Sequence, residues 1–145
     1  LPSGNSVAVM NLLRLGRITA SPDLENKAEQ IMKLFAEQIE RAPTGFGQML
    51  QGTAFGLEDT CEIVIAGHKE DPGTVDLLEV LNSQFIFNKV VVLNDPEDQA
   101  IRRLAPYTSR QTMQDDRPTA YVCRNYSCEQ PVHEPEAMMK LIHGT

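Results

Sequence analysis

The chain has 145 residues, 41% of them hydrophobic and 23% charged, the composition of a globular protein of one domain's length that can bury roughly 70% of its unfolded surface without staples. No apolar run approaches the ~20 residues that span a bilayer, so no membrane partner is expected. A net charge of -7 with a pI near 4.9 lacks the clustered Lys and Arg that nucleic acid calls for, and no nucleic-acid partner is expected either.

The first part reads as helical. Ser3, Gly4, Asn5 and Ser6 offer N-caps ahead of Val7, Met10, Leu12 and Leu13, predicting a helix to about Thr19. Ser21 caps the next one, Pro22 suits its first position, and Leu24, Ala28, Ile31, Phe35 and Ile39 form one stripe, predicting a helix over 22–41. Pro43 and Gly45 break the pattern. Phe46, Met49, Leu50, Thr53 and Leu57 then recur at helical spacing, with Gly47, Gly52 and Gly56 signalling close packing on a neighbour. Residues 1–57 are thus a helical hairpin plus a third helix.

The period changes near residue 60. "CEIVIAG" and "NKVVVLN" are short β-branched runs flanking an apolar stripe of Val75, Leu78, Leu81 and Phe85, a βαβ unit with parallel strands. A second crossover containing "PEDQAIRRLA", a loop from Pro106 to Pro118, a strand "PTAYVCR" and a helix "EPEAMMKLI" follow. Residues 60–145 are predicted to be a small, three-stranded, mostly parallel βαβαβα unit of strand order 2-1-3, which makes the fold class α/β. Asp71-Pro72, Asp95-Pro96 and Glu134-Pro135 each read as an acidic cap and a proline opening a helix.

In an open parallel sheet, ligand sites gather beyond the C-terminal strand ends. That rule places His68, Lys69 and Asp95 on one edge together with the Cys123–Cys128 loop; the plainer reading makes the acidic residues caps and His68 a solvated loop residue. For the cysteines, three readings stand side by side. A redox pair favours Cys-x-x-Cys at a helix N-terminus, and here four residues intervene. A zinc clip could draw on Cys123, Cys128, His133 and Cys61 but lacks the tight Cys-x2-Cys spacing, and no bound metal is expected. Two free thiols, with Cys123 packed inward beside Tyr121, carry the most weight. The odd count of three cysteines points the same way, toward a reducing, cytoplasmic setting. No phosphate loop or nucleophile elbow is present, and no cofactor is implied.

The segments "PSGNSVAVMNLLRLGRIT", "IERAPTGFGQMLQG", "EIVIAG", "FIFNKVVVLN" and "PTAYVCRNYSCEQPVHEPEAM" together resemble, in order, the C-terminal portion of the YyaL-like, or spermatogenesis-associated protein 20, family. The resemblance implies a long protein with a thioredoxin-like domain, an α/α toroid of the six-hairpin glycosidase or sugar-epimerase type, and a C-terminal α/β portion. Residues 1–57 are then the last toroid helices and 60–145 the α/β portion, with the upstream domains of the same chain as partners. Lacking an initiator Met and a leader pattern, the chain reads as a piece of that longer protein. By the same resemblance Ser3, Asn5 and Ser6 line the toroid cavity; by local sequence they are capping residues. A toroid cut short leaves apolar helix faces uncovered, predicting a homo-oligomer through residues 1–57. The function these expectations favour is a non-catalytic C-terminal region, with a thiol-redox or metal-clip domain and part of a carbohydrate-binding cavity as alternatives.

Overall fold

The computed structural model describes residues 3–144, and the chain divides after Asp59 into two compact units. In the first, α1 (Gly4–Thr19), α2 (Pro22–Arg41) and α3 (Gly47–Leu57) follow one another. The Ser3 hydroxyl caps α1 by accepting from the Ser6 amide at 3.2 Å, and Ala20 ends it in the left-handed region, φ 51°. α1 packs against both α2 and α3, burying Val9, Met10 and Leu13. Gly52 of α3 lies so close to Val9 that a Cβ there would press on the valine methyl, whereas Gly47 faces open space.

The second unit is a four-stranded sheet of order β2-β1-β3-β4, built from β1 (Cys61–Ala66), β2 (Lys89–Asn94), β3 (Thr119–Arg124) and β4 (Ser127–Cys128). Between them run α4 (Pro72–Ser83) and α5 (Gln99–Leu104), and α6 (Pro135–His143) ends the chain. β1 and β2 are parallel, with Cys61 opposite Lys89 and Ala66 opposite Asn94. β3 is antiparallel to β1, pairing Cys61 with Arg124 and Ala66 with Thr119.

The order of the three expected strands is 2-1-3 as predicted, but a fourth strand, β4, adds to the edge, and β3 runs antiparallel, so only one of the three pairings is parallel. The chain between β2 and β3 is held at one end of the sheet: α5 has only six residues, and Asn94 at the end of β2 binds the Thr108 and Gln111 carbonyls, so β3 starts at the end where β2 stops. The segment read as a loop after α5 contains a 3-10 turn, Pro106–Arg110.

The two sheet faces differ. Cys61, Ile63, Ile65, Ala120 and Val122 face α4 and α6 and form the main core with Leu77, Leu81, Met138, Met139 and Ile142. α4 buries Thr74, Leu77 and Leu81; of the predicted stripe Leu81 is buried and Leu78 packs partly buried against this core, whereas Val75 is exposed and Phe85, past the helix end, is 92% exposed. Adjacent leucines at 77 and 78 leave that register ambiguous in sequence. Glu62, Val64, Val92, Asn94, Tyr121 and Cys123 alternate onto the other face. There the 3-10 turn and the residues after it are bound by polar contacts: Asn94 Nδ2 donates to the carbonyls of Thr108 (2.9 Å) and Gln111 (2.7 Å), and the Tyr121 hydroxyl donates to that of Thr112 at 2.6 Å.

One cross-strand row ties the helices to the sheet. Lys89 and Arg124 flank Cys61 on β1. The Lys89 ammonium donates to the Leu81 carbonyl near the end of α4, and the Arg124 guanidinium donates to the Leu141 and Ile142 carbonyls of α6 at 2.9 and 2.6 Å. Each cation satisfies carbonyls that a helix end leaves unpaired and opposes the negative pole of its dipole.

Candidate functional site

β3 and β4 are joined by Asn125 and Tyr126, whose φ angles of 49° and 63° are both left-handed. Two successive positive φ values make the type I′ turn that matches strand twist, and the resulting register sets Cys123 directly opposite Cys128. The two are joined in a disulfide. This corrects the reading of both as free thiols: a two-residue hairpin, not an open loop, separates them. Glycine usually occupies such a turn, and the sequence "NY" hides it. Pairing continues past β4, where Ala120 and Val132 exchange backbone bonds of 2.7 and 3.0 Å. Since Cys123 faces Cys128 but Ala120 faces Val132, the returning strand carries one extra residue, a β-bulge.

The disulfide has one sheltered and one open side. Cys123 is buried at 4% exposure, and Cys128 lies on the exposed edge strand. Gln111 Nε2 donates to both sulfurs, at 3.5 Å to Cys123 and 3.4 Å to Cys128, while its Oε1 is buried without a hydrogen-bond partner. Glu62, buried and opposite Cys123 across the β1–β3 ladder, accepts from the Tyr126 amide at 3.2 Å and so fastens the hairpin turn to the central strand.

The other candidates are distributed as follows. Cys61 lies on the opposite face of the sheet from Cys123, and burial, only partly offset by Arg124, pushes its thiol up to about 11. His133 sits near the start of β3, donating from Nδ1 to the Pro118 carbonyl at 2.9 Å. The zinc run is therefore not brought together, and among the described residues no three His, Cys, Asp or Glu side chains are grouped to hold a metal ion. One bonded pair and one buried thiol also account for the odd cysteine count, which then ceases to bear on compartment.

His68, Lys69 and Asp95 do meet. Asp95 Oδ2 accepts from the Lys69 amide at 3.0 Å, Oδ1 accepts from the Glu97 amide at 3.0 Å, and His68 Nδ1 lies 3.7 Å from Oδ1. The Glu97 and Lys69 amides, aided by the charges of His68 and Lys69, hold the Asp95 carboxyl below its ordinary range. Asp95 thus bridges two strand ends instead of capping α5, a role that Asp98 takes by accepting from the Ala100 amide. The cysteines do not join this edge, because antiparallel β3 carries them to the other end of the sheet. In the first unit Ser3 is a cap, Ser6 is buried beneath it with the two hydroxyls 2.9 Å apart, and Asn5 is exposed; Pro2 of that motif lies outside the described residues. Gln111 and Glu62 were invisible as site residues in sequence, since both owe their position to the antiparallel return of β3.

The fold and site define a helical unit followed by a mixed α/β unit whose β3–β4 hairpin is closed by a disulfide. No family model matches the chain, and no solved structure matches it. It is 33% identical over 143 residues to Spermatogenesis-associated protein 20 of Homo sapiens, and 32% identical over 143 residues to the proteins of that name from Rattus norvegicus and Mus musculus. The chain belongs to the spermatogenesis-associated protein 20 family. Each alignment covers 98% of this chain and 18% of the relative, so the chain spans about a fifth of the length of the curated relatives it matches. No helix among the described residues is long and apolar enough to cross a membrane.

Proposed function

We propose that this chain is the C-terminal, non-catalytic region of a longer protein, and that its own chemistry is confined to a thiol pair, Cys123 and Cys128, that cycles between disulfide and dithiol. The observation carrying this is the asymmetry of the bond, with one sulfur on an exposed edge strand and the other buried. An incoming thiolate bonds to Cys128 Sγ and breaks the bond to Cys123, which leaves with the electron pair and takes a proton from solvent. A second thiolate attacks the mixed disulfide and releases Cys128. Two electrons pass from two external thiols to the protein, leaving a small-molecule disulfide. Reduction frees the hairpin, which holds no other covalent tie, and a partner or neighbouring domain can read that change.

The test is equilibration of the 145-residue chain in glutathione buffers of graded ratio, quenching with an alkylating reagent and weighing the products. A smooth two-thiol transition supports the reading. A disulfide that survives excess dithiothreitol under native conditions makes the bond a structural staple and ends it.

A second reading concerns residues 1–57. Leu15, Leu34 and Leu57 are 49%, 76% and 83% exposed, and such surface favours association. We read these helices as part of an α/α toroid that, in this chain alone, pairs with a second copy. A monomeric mass by light scattering at tens of micromolar removes that reading.

A further inference from the structure

We infer that Gln111 is a positioning residue that biases the Cys123–Cys128 couple toward the dithiol, an inference resting on the redox reading above. The amide is fixed from behind, because its own backbone carbonyl accepts from Asn94 Nδ2 at 2.7 Å. Its side chain reaches the disulfide with Nε2 at 3.4 and 3.5 Å from the two sulfurs and leaves Oε1 buried and unpartnered. A disulfide sulfur accepts weakly and has no hydrogen to give. In the oxidised state the amide therefore has one unmet end in either orientation: flipping it would aim the carbonyl at two sulfurs that cannot donate and would orphan the N–H groups instead.

Two thiols change that inventory. Once the bond is broken, each cysteine is free to turn about its side-chain torsion and each carries a hydrogen. One sulfur keeps the bond from Nε2 while the other donates S–H to Oε1, so a single planar amide engages both thiols through its two ends. A buried polar atom that is unmet in one state and met in the other favours the second state. Gln111 thus acts on the couple through hydrogen-bond complementarity and touches no external reactant.

The experiment compares wild type with Gln111→Leu and Gln111→Met in the same glutathione buffers. The equilibrium constant for disulfide formation is expected to rise about tenfold in both variants, so that the wild-type pair is the easier to reduce. Constants equal within twofold, or a shift toward the dithiol, overturn the inference. If only a stronger dithiol such as dithiothreitol reduces the pair, the glutathione-linked reading falls, and the ratio between wild type and variants in a dithiothreitol buffer still decides the part played by Gln111. A readout on wild type alone guards against variants that fail to fold. The Raman difference spectrum, reduced minus oxidised, cancels Cys61 and shows the S–H stretches of the pair; one band displaced to the lower frequency of a hydrogen-bonded thiol is expected, and two free-thiol bands overturn the inference.

Discussion

The two faces of the sheet are held by different means. Against α4 and α6 the cover is apolar: Ile63, Ile65, Val122, Leu77 and Met138 are almost wholly removed from water, and their stabilisation grows with the area they bury. On the other face the cover is irregular chain held by named polar bonds, with Asn94 spanning the Thr108 and Gln111 carbonyls and Tyr121 reaching Thr112. A non-directional cover tolerates the exchange of one apolar residue for another of similar volume. A directional one fixes where each residue lies, which is how Gln111 comes to rest on the disulfide.

The comparison can be broken from either side. Leu77→Ala should cost about 3 kcal/mol by opening a cavity under α4, read as a global loss in denaturant unfolding. Asn94→Leu should cost about 2 kcal/mol, because the Gln111 carbonyl loses its bond from Nδ2 and the Thr108 carbonyl keeps only the Gln111 amide. Its signature is local: faster amide exchange and proteolysis across 106–117 at unchanged protection of α4 and α6. Equal protection on both faces in that variant would show that the polar bonds do not hold this cover in place.

Reducing the disulfide should cost roughly 2 kcal/mol, the chain-entropy value for so short a closed loop, with exchange rising first at the amides of Tyr126 and Glu129. Unchanged stability after reduction would mean that the hairpin is held by its backbone bonds alone. Asp95 supplies the pH test. Its folded pKa is depressed, so its contribution is present above the ordinary carboxylate range and is lost as pH falls through the folded value. Asp95→Asn should therefore flatten the acid limb of the stability profile below about pH 4; an unaltered slope there would assign the acid loss to other carboxylates. The smallest effect is a gain: Tyr126→Gly should stabilise by about 1 kcal/mol by relieving a side chain held at φ 63°, checked by the midpoint of thermal unfolding.

Sequence revealed most clearly those elements whose signals are local. The Pro22 start, the acidic first turn and the stripe from Leu24 to Ile39 match α2 over Pro22–Arg41, and the β-branched runs match β1 and β2. What it concealed depends on remote geometry or unusual turn chemistry. The direction of β3 depends on remote side-chain bonds that hold the segment after α5 at the end of β2, and the disulfide depends on a glycine-free turn. In "DPED" Asp95, Glu97 and Asp98 all precede a helical run; only the structure assigns Asp98 to the cap and Asp95 to the strand-end bridge. His68, Lys69 and Asp95 were found because the loops after two parallel strands bring them together, and the cysteines were misplaced beside them by the same assumption applied to a strand that runs the other way.

β3 is bracketed by two tight turns, Gln114 to Arg117 with φ 52° and 53° at Asp115 and Asp116, and Arg124 to Ser127 with φ 49° and 63°. From Gln114 to Val132 the chain therefore forms a short meander whose partners lie close in sequence, Cys123 and Cys128 being 5 apart. The central pairing is remote: Cys61 meets Arg124, a separation of 124 − 61 = 63 residues. Loop closure over that distance is slow and costly beside hairpin formation on the microsecond scale. This separation predicts that the ribbon carrying the cysteines forms before β1 docks between it and β2, so that in pulse-labelled hydrogen exchange during refolding the Glu129 amide is protected ahead of the β1 amides.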